Sequence, residues 1–414
     1  MALAKFLQVS DVHLGRPLGW LPVERRDERR REQRHILDQV VSEAITRGVH
    51  AILLPGDLFD AEGVDADTLA FALGAFQVTG CPPVFVAPGN HDPYSETSLC
   101  WEPRLLRARG LAWPEHVHVF TTPDWSVQVV PGLKGVRVWG RCFTSNVASL
   151  ERPLSVEALR DVSGADSQGF DVALFHGSRE GSCPPGQKVT APFTDAEALQ
   201  TPFAYLAVGH YHAATRLTAS EGASAGVRLA YAGSAAALDA TEIGAHGALE
   251  VRIEYARRLP FVEIEFVELD HRKVVDLAVD ITGCASAEKV DQRVRRSLDD
   301  AGVSSDDLVT MRLSGRLARG VRLAGVSDEL ASRVFHLRLD TRRVRPDYDL
   351  DGYRRQDPTT TEERFARALL EQLDQEDDPA QRALIESALY YGLDAFRLKE
   401  VTPAYEEIEA EARG

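Results

Sequence analysis

Short apolar runs that each end in a cluster of carboxylate, imidazole or amide side chains are the feature that most restricts the fold of this chain. Five such clusters occur in order along the sequence: Asp11-Val12-His13, Gly56-Asp57-Leu58-Phe59-Asp60, Gly89-Asn90-His91-Asp92, Phe175-His176-Gly177 and Gly209-His210-Tyr211-His212. Five of the 12 histidines lie in these clusters. Histidines with purely structural roles would be scattered without regard to the apolar runs. The pattern therefore predicts that the five clusters meet at one site.

The apolar runs are typical of strands that alternate with helices. Strands are predicted at residues 6–9, 51–54, 83–87, 172–175 and 205–208. Between residues 24 and 47 the apolar positions instead recur on one helical face. This alternation favours parallel strands with crossover helices, and in open α/β sheets ligands gather outside the carboxyl ends of the strands. Every cluster lies where a predicted strand ends, so the fold and the site are predicted together.

The length of the chain predicts more than one domain, because 414 residues exceed the roughly 250–300 residues at which a single core stops growing. We assign residues 1–270 to the domain that holds the clusters and residues 271–350 to a small, arginine-rich α+β capping domain. Residues 351–414 are assigned to a helical tail, and the acidic stretch 405–414 is expected to fray. Thr360 and Glu363 have the spacing of a capping box at the start of a tail helix.

The sequence favours a cytoplasmic protein without a membrane span. No apolar run approaches the ~20 residues needed to cross a bilayer. The first five residues lead directly into a strand, so no secretory signal is expected. The five cysteines are widely spaced and form no C-x-x-C motif, which is typical of reduced thiols in the cytoplasm.

The net charge of −16 argues against a polyanionic partner only when its distribution is ignored. Residues 351–414 hold 16 acidic and 8 basic side chains, whereas residues 272–350 hold 13 acidic and 15 basic ones. The overall charge therefore overstates the repulsion that DNA would feel at the site. The arginines of the first predicted helix, residues 25–26 and 29–31, are interpreted as a solvated face, with DNA contact as the less favoured alternative.

The residue types of the clusters suit a divalent metal. In a D-x-H segment at a strand end, the two ligands point to the same side. Carboxylate with neutral imidazole suits Mn²⁺, Fe²⁺ or Zn²⁺, and the absence of cysteine from the clusters argues against a structural zinc site. Gly56, Gly89 and Gly209 are interpreted as turns that bring ligands close together rather than as a phosphate cradle. The histidines outside the clusters are interpreted as structural.

The order D-x-H, G-D, G-N-H-D, H, G-H-x-H resembles the signature of the calcineurin-like metallophosphoesterases. This resemblance implies a four-layer α/β sandwich, with two mixed β-sheets flanked by helices. It also implies two divalent ions, most simply Mn²⁺, with Fe²⁺ or Zn²⁺ as alternatives. By the resemblance, one ion is bound by Asp11, His13, Asp57 and His212, and the other by Asp57, Asn90, His176 and His210. It further implies that His91 is the general acid, and we expect Asp92 to orient it.

Three stretches are similar to the SbcD- and YhaO-like branch of DNA repair exonucleases: Phe6 to Gly15, Leu54 to Asp60, and Gly89 to Tyr94 with Trp113 to Phe120. The resemblance covers roughly residues 4–265, and over the capping domain it concerns only the layout. It implies a nuclease that acts on DNA together with an SbcC-like coiled-coil ATPase, and it leaves a homodimer open. Within this resemblance the capping arginines Arg342, Arg343 and Arg345 are candidate DNA contacts.

Two other functions are weighed against the nuclease. A phosphodiesterase or phosphatase for a small phosphorylated metabolite fits the net acidity better. A scaffold without catalytic activity is disfavoured, because the seven expected ligand positions and His91 all carry competent residues. The apolar stripes of the tail also have two interpretations, packing within their own domain or docking on a partner. These stripes consist of Phe365, Leu369 and Leu373, followed by Leu384, Ala388 and Leu389.

Overall fold

The computed structural model describes residues 2–164, 169–183, 188–255, 259–318, 321, 323, 325–355, 357–399 and 401. The chain divides into two compact units. The first unit comprises Met1–Val275 with Asp306–Leu308, and the second comprises Asp276–Ser305 with Val309–Gly414. The stretch 405–414, which was expected to fray, lies outside the described residues. The finer division into a capping domain and a tail stays a prediction.

The first unit contains twelve described strands and four described α-helices. The strands are β1 Ala2–Gln8, β2 Ala51–Leu54, β3 Val84–Val86, β4 Val117–Val119, β5 Ser126–Val129, β6 Val136–Gly140, β7 Phe170–His176, β8 Tyr205–Gly209, β9 Thr215–Ala219, β10 Ala225–Tyr231, β11 Gly247–Tyr255 and β12 Phe261–Glu268. The helices are α1 Val23–Thr46, α2 Ala66–Ala75, α3 Pro103–Arg107 and α4 Asp195–Gln200. All five strands and the first helix predicted from the apolar runs are therefore confirmed.

The strands form one hydrogen-bonded path in the order β4-β3-β2-β1-β11-β12-β10-β8-β7-β6-β5, with β9 paired to β10. One half contains the parallel strands β1, β2, β3 and β4, and the other contains the parallel strands β6, β7, β8 and β10. The two halves are joined through β12, which pairs antiparallel with β11 and, over two residues, parallel with β10. The two expected sheets are thus continuous along their backbone hydrogen bonds.

Three apolar clusters give the first unit its layers. Side chains of β1, β2 and β3 meet side chains of β6, β7 and β8 in a cluster between the two halves of the sheet. The outer face of the first half is covered by α1 and α2. The outer face of the second half is covered by α4 and neighbouring loops. The predicted four-layer α/β sandwich is confirmed.

Helix α1 buries the face that its apolar spacing predicts, including Ile36, Leu37 and Val40. The prediction that its arginines are all solvated is wrong for Arg29. This side chain is fully buried, and its guanidinium donates hydrogen bonds to both carboxylate oxygens of the equally buried Asp270. A sequence pattern of repeated arginines cannot separate one buried position from its exposed neighbours, because the partner is more than 200 residues away.

The second unit contains a three-stranded sheet in the order β13-β14-β15 and further helices. Its elements are β13 Val274–Asp280, α5 Ala287–Asp300, β14 Leu308–Leu317, α6 Asp328–Ala331, β15 His336–Pro346, α7 Leu350–Arg355, α8 Thr361–Gln375 and α9 Pro379–Leu398. The capping box of Thr360 and Glu363 is present. Helices α8 and α9 enclose a small apolar cluster, and Asp394 of α9 pairs with Arg316 of β14 at 2.8 Å. The tail helices are therefore tied to the sheet of the capping region.

Two findings bear on the environment expected for the chain. Among the described residues, no helix is both long enough and apolar enough to cross a membrane. All five cysteines lie in the described part of the chain, and no disulfide joins them.

Candidate metal centre

The five clusters of the sequence converge because each follows a strand of the first unit. Asp11 and His13 lie beyond β1, Asp57 beyond β2, and Asn90 beyond β3. His176 ends β7, and His210 follows β8. Since these strands are parallel within each half of the sheet, their carboxyl ends bring all the clusters to one edge.

The backbone is strained where it presents several of these side chains. Asp11, His13, Asp57 and His210 have φ angles of 51°, 50°, 53° and 112°, in a region that non-glycine residues rarely adopt. Such strain costs of order 1–3 kcal/mol per residue and persists where function or packing requires it. Its concentration on four of the seven predicted ligands indicates that the loops are shaped for the site.

The three glycines of the clusters allow a close approach, as predicted. A Cβ atom at Gly56 would collide with the His176 ring, and one at Gly89 would collide with the Asp57 carboxylate. A Cβ atom at Gly209 would collide with the carbonyl oxygen of Pro55. Each glycine therefore makes room for a neighbouring cluster, which is the packing role that the sequence suggested.

Asp57 lies at the middle of the site. Its Oδ1 accepts the backbone N–H of His91 at 2.9 Å. Its Oδ2 lies 3.5 Å from Nε2 of His13 and 3.3 Å from Nε2 of His176. Burial raises the pKa of the Asp57 carboxyl, but the charges of His176 and His13 outweigh it and lower the pKa overall. One ionised oxygen is thus flanked by imidazoles from the two predicted ligand sets.

Lone pairs meet around His176 in a way that requires a cation. Its Nδ1 lies 3.0 Å from the carbonyl oxygen of Pro55, so Nδ1 carries the proton and donates it. Its Nε2 then directs a lone pair at the Asp57 carboxylate and at Oδ1 of Asn90, 3.1 Å away. With no metal present, burial lowers the pKa of His176, but the Asp57 charge overrides this and raises it to about 9. Without a metal, a proton on Nε2 therefore offsets the negative charge of Asp57, as a bound metal ion would.

His13 provides the second test of fit. Both ring nitrogens are buried and lack a hydrogen-bond partner, which is costly for polar atoms unless they bind something. Burial holds the pKa of His13 well below its usual value, so the ring is the neutral imidazole that metals bind. One nitrogen of His13, one of His212 and one oxygen of Asp11 lie within 4.8 Å of one another. One oxygen each of Asp11 and Asp57 and one nitrogen of His176 also lie within 4.8 Å of one another. The residues present therefore fit a divalent metal ion.

His210 and His212 each have one nitrogen engaged and one left for a metal. Nε2 of His210 donates to the carbonyl oxygen of Lys188 at 2.9 Å, which leaves Nδ1. Burial lowers the pKa of His210 to about 4 and keeps the ring neutral. Nδ1 of His212 lies 2.7 Å from Oε1 of Glu242, and its Nε2 lies 3.9 Å from Asp11. All seven predicted ligands thus gather at one place, and their assignment to two ions stays a prediction.

The orienting role expected of Asp92 is not what the geometry supports. The Asp92 carboxylate is buried and accepts the backbone N–H groups of Gly89 at 2.7 Å, Phe59 at 3.1 Å and Asp57 at 3.2 Å. Burial together with the Asp57 charge raises its pKa to about 7. Asp92 therefore clamps two ligand loops together. The carboxylate beside the His91 ring is that of Asp60, whose Oδ1 lies 3.6 Å from Nδ1.

Asp60 and Glu242 are the residues that sequence reasoning missed. Asp60 belongs to a quoted cluster, three positions after Asp57, so its position was a usable signal. Glu242 lies in a loop with no motif. Its Oε2 accepts hydrogen bonds from Ser234 Oγ at 2.7 Å and from the Leu238 N–H at 3.0 Å, while Oε1 holds His212. Carboxylates placed in this way behind a ligand histidine fix its tautomer and orientation.

A cavity of about 840 Å³ lies over the predicted ligands. His91 is 43% exposed and faces it together with Asn90, His210 and His212. Its other polar lining residues include Ser95, Thr144, Ser145, Asn146 and Lys188. The site is therefore open to a ligand, and His91 is its most accessible imidazole.

Comparison with known proteins agrees with this geometry. A family model described as Calcineurin-like phosphoesterase matches residues 4–214, which include all seven predicted ligands but not Glu242. A relative from Saccharolobus solfataricus, DNA double-strand break repair protein Mre11, is 23% identical over 285 residues. The match spans 66% of this chain and 66% of the relative, slightly less than two thirds of that protein's length.

Two solved structures are similar to the chain at low identity. TT1561 of Thermus thermophilus is 15% identical, covers 65% of this chain and all of its own, and has a TM-score of 0.35. A dimetal phosphatase from Danio rerio is 13% identical, covers 64% of this chain and 99% of its own, and also has a TM-score of 0.35.

Proposed function

Because the chain belongs to the calcineurin-like phosphoesterase family, we propose that it is a dinuclear, manganese-dependent nuclease that hydrolyses DNA phosphodiester bonds. The observation that carries the proposal is the position of Asp57 Oδ2 between Nε2 of His13 and Nε2 of His176. A single carboxylate oxygen placed between two imidazole lone pairs is the arrangement expected of a bridging ligand for two ions.

Two ions held at this edge would lower the pKa of a bound water and offset the charge of the phosphate in the transition state. One ion is assigned to Asp11, His13, Asp57 and His212, and the other to Asp57, Asn90, His176 and His210. The ligands include neutral imidazoles and an amide beside two carboxylates, a mixed set that suits Mn²⁺ and also Fe²⁺ or Zn²⁺.

We assign the general acid to His91. Its ring is exposed to the cavity, and Asp60 lies beside its Nδ1. The adjacent Asp60 carboxylate raises the pKa of His91 and outweighs the effect of burial, which lowers it. A protonated imidazole in this position can donate its proton to the leaving oxygen, and such proton transfer usually contributes roughly 10²–10⁴ in rate.

DNA is preferred as the substrate for two reasons. The relative from Saccharolobus solfataricus is named for DNA double-strand break repair, and its similarity extends over 66% of this chain. The second unit presents the exposed side chains of Arg338 and Arg342 on one strand, β15, at positions that share a face, with Asp340 between them paired to Arg342 at 2.5 Å. Phosphate contacts of this kind provide most of the affinity for DNA without contributing sequence specificity.

The decisive experiment strips the protein of metal, restores Mn²⁺, and compares three substrates. These are labelled duplex DNA, bis-p-nitrophenyl phosphate and a nucleotide monoester. We expect cleavage of DNA and of the small diester, and Asp57→Asn should abolish both. Activity on the monoester without any cleavage of DNA would refute the nuclease proposal and favour a metabolite phosphatase, which the net charge of −16 suits better.

The contribution of the capping arginines is tested with Arg338→Ala and Arg342→Ala together, because these two share a face of β15 and Arg343 does not. Both side chains are exposed. Arg345, which was predicted as a third contact, is left out because its side chain is only 21% exposed. The double variant should weaken DNA cleavage and leave hydrolysis of bis-p-nitrophenyl phosphate unchanged. Equal loss on both substrates would indicate damage to the fold instead.

We further propose a coiled-coil ATPase partner that binds the outer surface of α8 and α9. The proposal applies to a monomer and to a homodimer of this chain alike. Part of the predicted stripe packs inside the hairpin, since Leu389 is fully buried and Phe365 and Leu369 contact the same cluster. Leu384 is 62% exposed on the outside. Leu384→Asp should abolish co-purification with the ATPase while keeping the melting temperature unchanged. Deleting the helices is a poorer test, because it would leave Arg316 without Asp394.

A further inference from the structure

A second cavity, of about 590 Å³, adjoins the one over the metal centre. The two cavities share Arg16 and Asp60 in their linings, and all of their residues belong to the first unit. Nη1 of Arg16 lies 3.7 Å from Oδ2 of Asp60, so this ion pair marks the boundary. A ligand bound at the predicted metal site can therefore extend past Arg16 into the second cavity, which we call the Trp20 groove.

One side of the Trp20 groove is apolar. Pro17, Gly19 and the partly exposed Trp20 line it. Leu18 and Leu238 also line it but are only 2% and 1% exposed, so they add little surface. The indole N–H of Trp20 donates to the carbonyl oxygen of Leu238 at 2.8 Å, which holds the ring in place. A partly exposed indole held in this way provides a rigid surface for stacking.

The charges of the groove exclude a second anion. Asp60 and Asp239 border it, and among the described residues that line it Arg16 is the only basic one. Since Arg16 lies at the boundary with the metal centre, its charge is available to the phosphate there rather than to a group deeper in the groove. The occupant that fits an indole and two carboxylates is a planar group that carries no negative charge and can donate N–H groups to the carboxylates.

We propose that the Trp20 groove binds the nucleobase adjacent to the scissile phosphate. The inference rests on the proposed function, because it assumes a phosphodiester at the metal centre. A base is neutral and planar, and it lies one sugar away from its phosphate, which matches a groove that begins where the metal cavity ends. Stacking on an aromatic ring is tolerant of base identity. The groove should therefore favour nucleotide diesters over other phosphodiesters without selecting a sequence.

The test compares two diesters of equal charge that share a leaving group. One is the p-nitrophenyl ester of thymidine 5′-monophosphate, and the other is methyl p-nitrophenyl phosphate. The unaltered protein with Mn²⁺ should show a lower KM for the thymidine ester. Trp20→Ala should raise that KM by about 5- to 100-fold, the effect of losing one base–aromatic stack. Trp20→Phe should restore most of the preference, because the ring rather than the N–H binds the base.

A second variant narrows the groove and keeps the indole itself. Apart from its chain neighbours, a Cβ atom at Gly19 meets no atom within 4 Å, so Gly19→Leu adds a side chain to the groove lining without a clash with other parts of the chain. It should remove the preference for the thymidine ester as Trp20→Ala does. Gly74 in α2 also has open space around a Cβ atom and lies outside both cavities, so Gly74→Leu is the matched control with unchanged KM values.

Three results would overturn the inference. The unaltered protein could show no preference for the thymidine ester. The preference could survive in both Trp20→Ala and Gly19→Leu, which would place the base elsewhere. In Trp20→Ala, the KM values for the thymidine ester and the methyl ester could rise together, which would place the p-nitrophenyl group or another common part of the esters in the groove. Failure of the proposed function looks different, since the unaltered protein would then hydrolyse neither diester.

Discussion

The buried pair of Arg29 and Asp270 should be among the strongest single determinants of stability in the first unit. Both side chains are fully buried, and the Asp270 carboxylate also accepts the backbone N–H groups of Ala237 and Arg272, each at 3.1 Å. Asp270→Asn keeps an acceptor for the backbone but leaves the buried Arg29 charge with only the partly exposed Glu32 carboxylate, 3.1 Å away. Breaking a buried pair from one side costs about 3–5 kcal/mol.

The loss should be visible in thermal unfolding. In a unit of this size 1 kcal/mol corresponds to roughly 2–4 °C in Tm, so Asp270→Asn should lower the melting temperature by about 6–20 °C. The matched control is Asp27→Asn, which removes the exposed partner of Arg30 in the same helix. An exposed pair of this kind contributes only about 0.2–1 kcal/mol, so the control should melt close to the unaltered protein.

A double variant and a pH series test the cause. Arg29→Met together with Asp270→Asn leaves no buried charge, so it should recover much of the stability lost in the single variant. Burial raises the pKa of Asp270, but its hydrogen bonds to Arg29 outweigh this and lower the pKa overall. The stabilisation is then complete above the unfolded value of about 3.9 and is lost as pH falls through the lower folded pKa. The difference in melting temperature between Asp270→Asn and the unaltered protein should therefore disappear in acid. The reasoning is refuted if Asp270→Asn at neutral pH melts no lower than Asp27→Asn.

Three further predictions concern the metal centre. Asp57→Asn should reduce bound Mn²⁺, measured by plasma emission, whereas His91→Ala should keep the metal and lower turnover by roughly 10²–10⁴; loss of metal from His91→Ala would contradict its role as the acid. Glu242→Ala should weaken Mn²⁺ affinity by about 10- to 100-fold because His212 loses its orienting partner. In a titration followed by electron paramagnetic resonance, the affinity of Glu242→Gln should lie between those of Glu242→Ala and the unaltered protein. An unchanged affinity in Glu242→Ala would make the contact merely structural. Asp60→Asn should move the basic side of the Mn²⁺-dependent pH–rate profile to lower pH without loss of bound metal, because His91 then lacks the carboxylate that raises its pKa. An unchanged profile would separate Asp60 from His91.

The sequence alone determined the parts of this protein that depend on local patterns. Apolar runs of strand length, each followed by ligand-type residues, predicted the strands, their parallel direction and the edge where the side chains meet. The spacing on α1 predicted its buried face, and the spacing of Thr360 and Glu363 predicted a helix start. These features are readable because strand and helix periodicities, turns and caps act over a few residues.

Only the tertiary structure decided which distant side chains meet. Arg29 looks like its solvated neighbours until Asp270 is brought beside it, and Glu242 has no motif that marks it as the partner of His212. The sequence favoured Asp92, the residue next to His91, as its partner, and the folding of two loops gave that position to Asp60. A carboxylate carries no local sign of its partner, because burial and pairing are set by chain segments that can lie more than 200 residues apart.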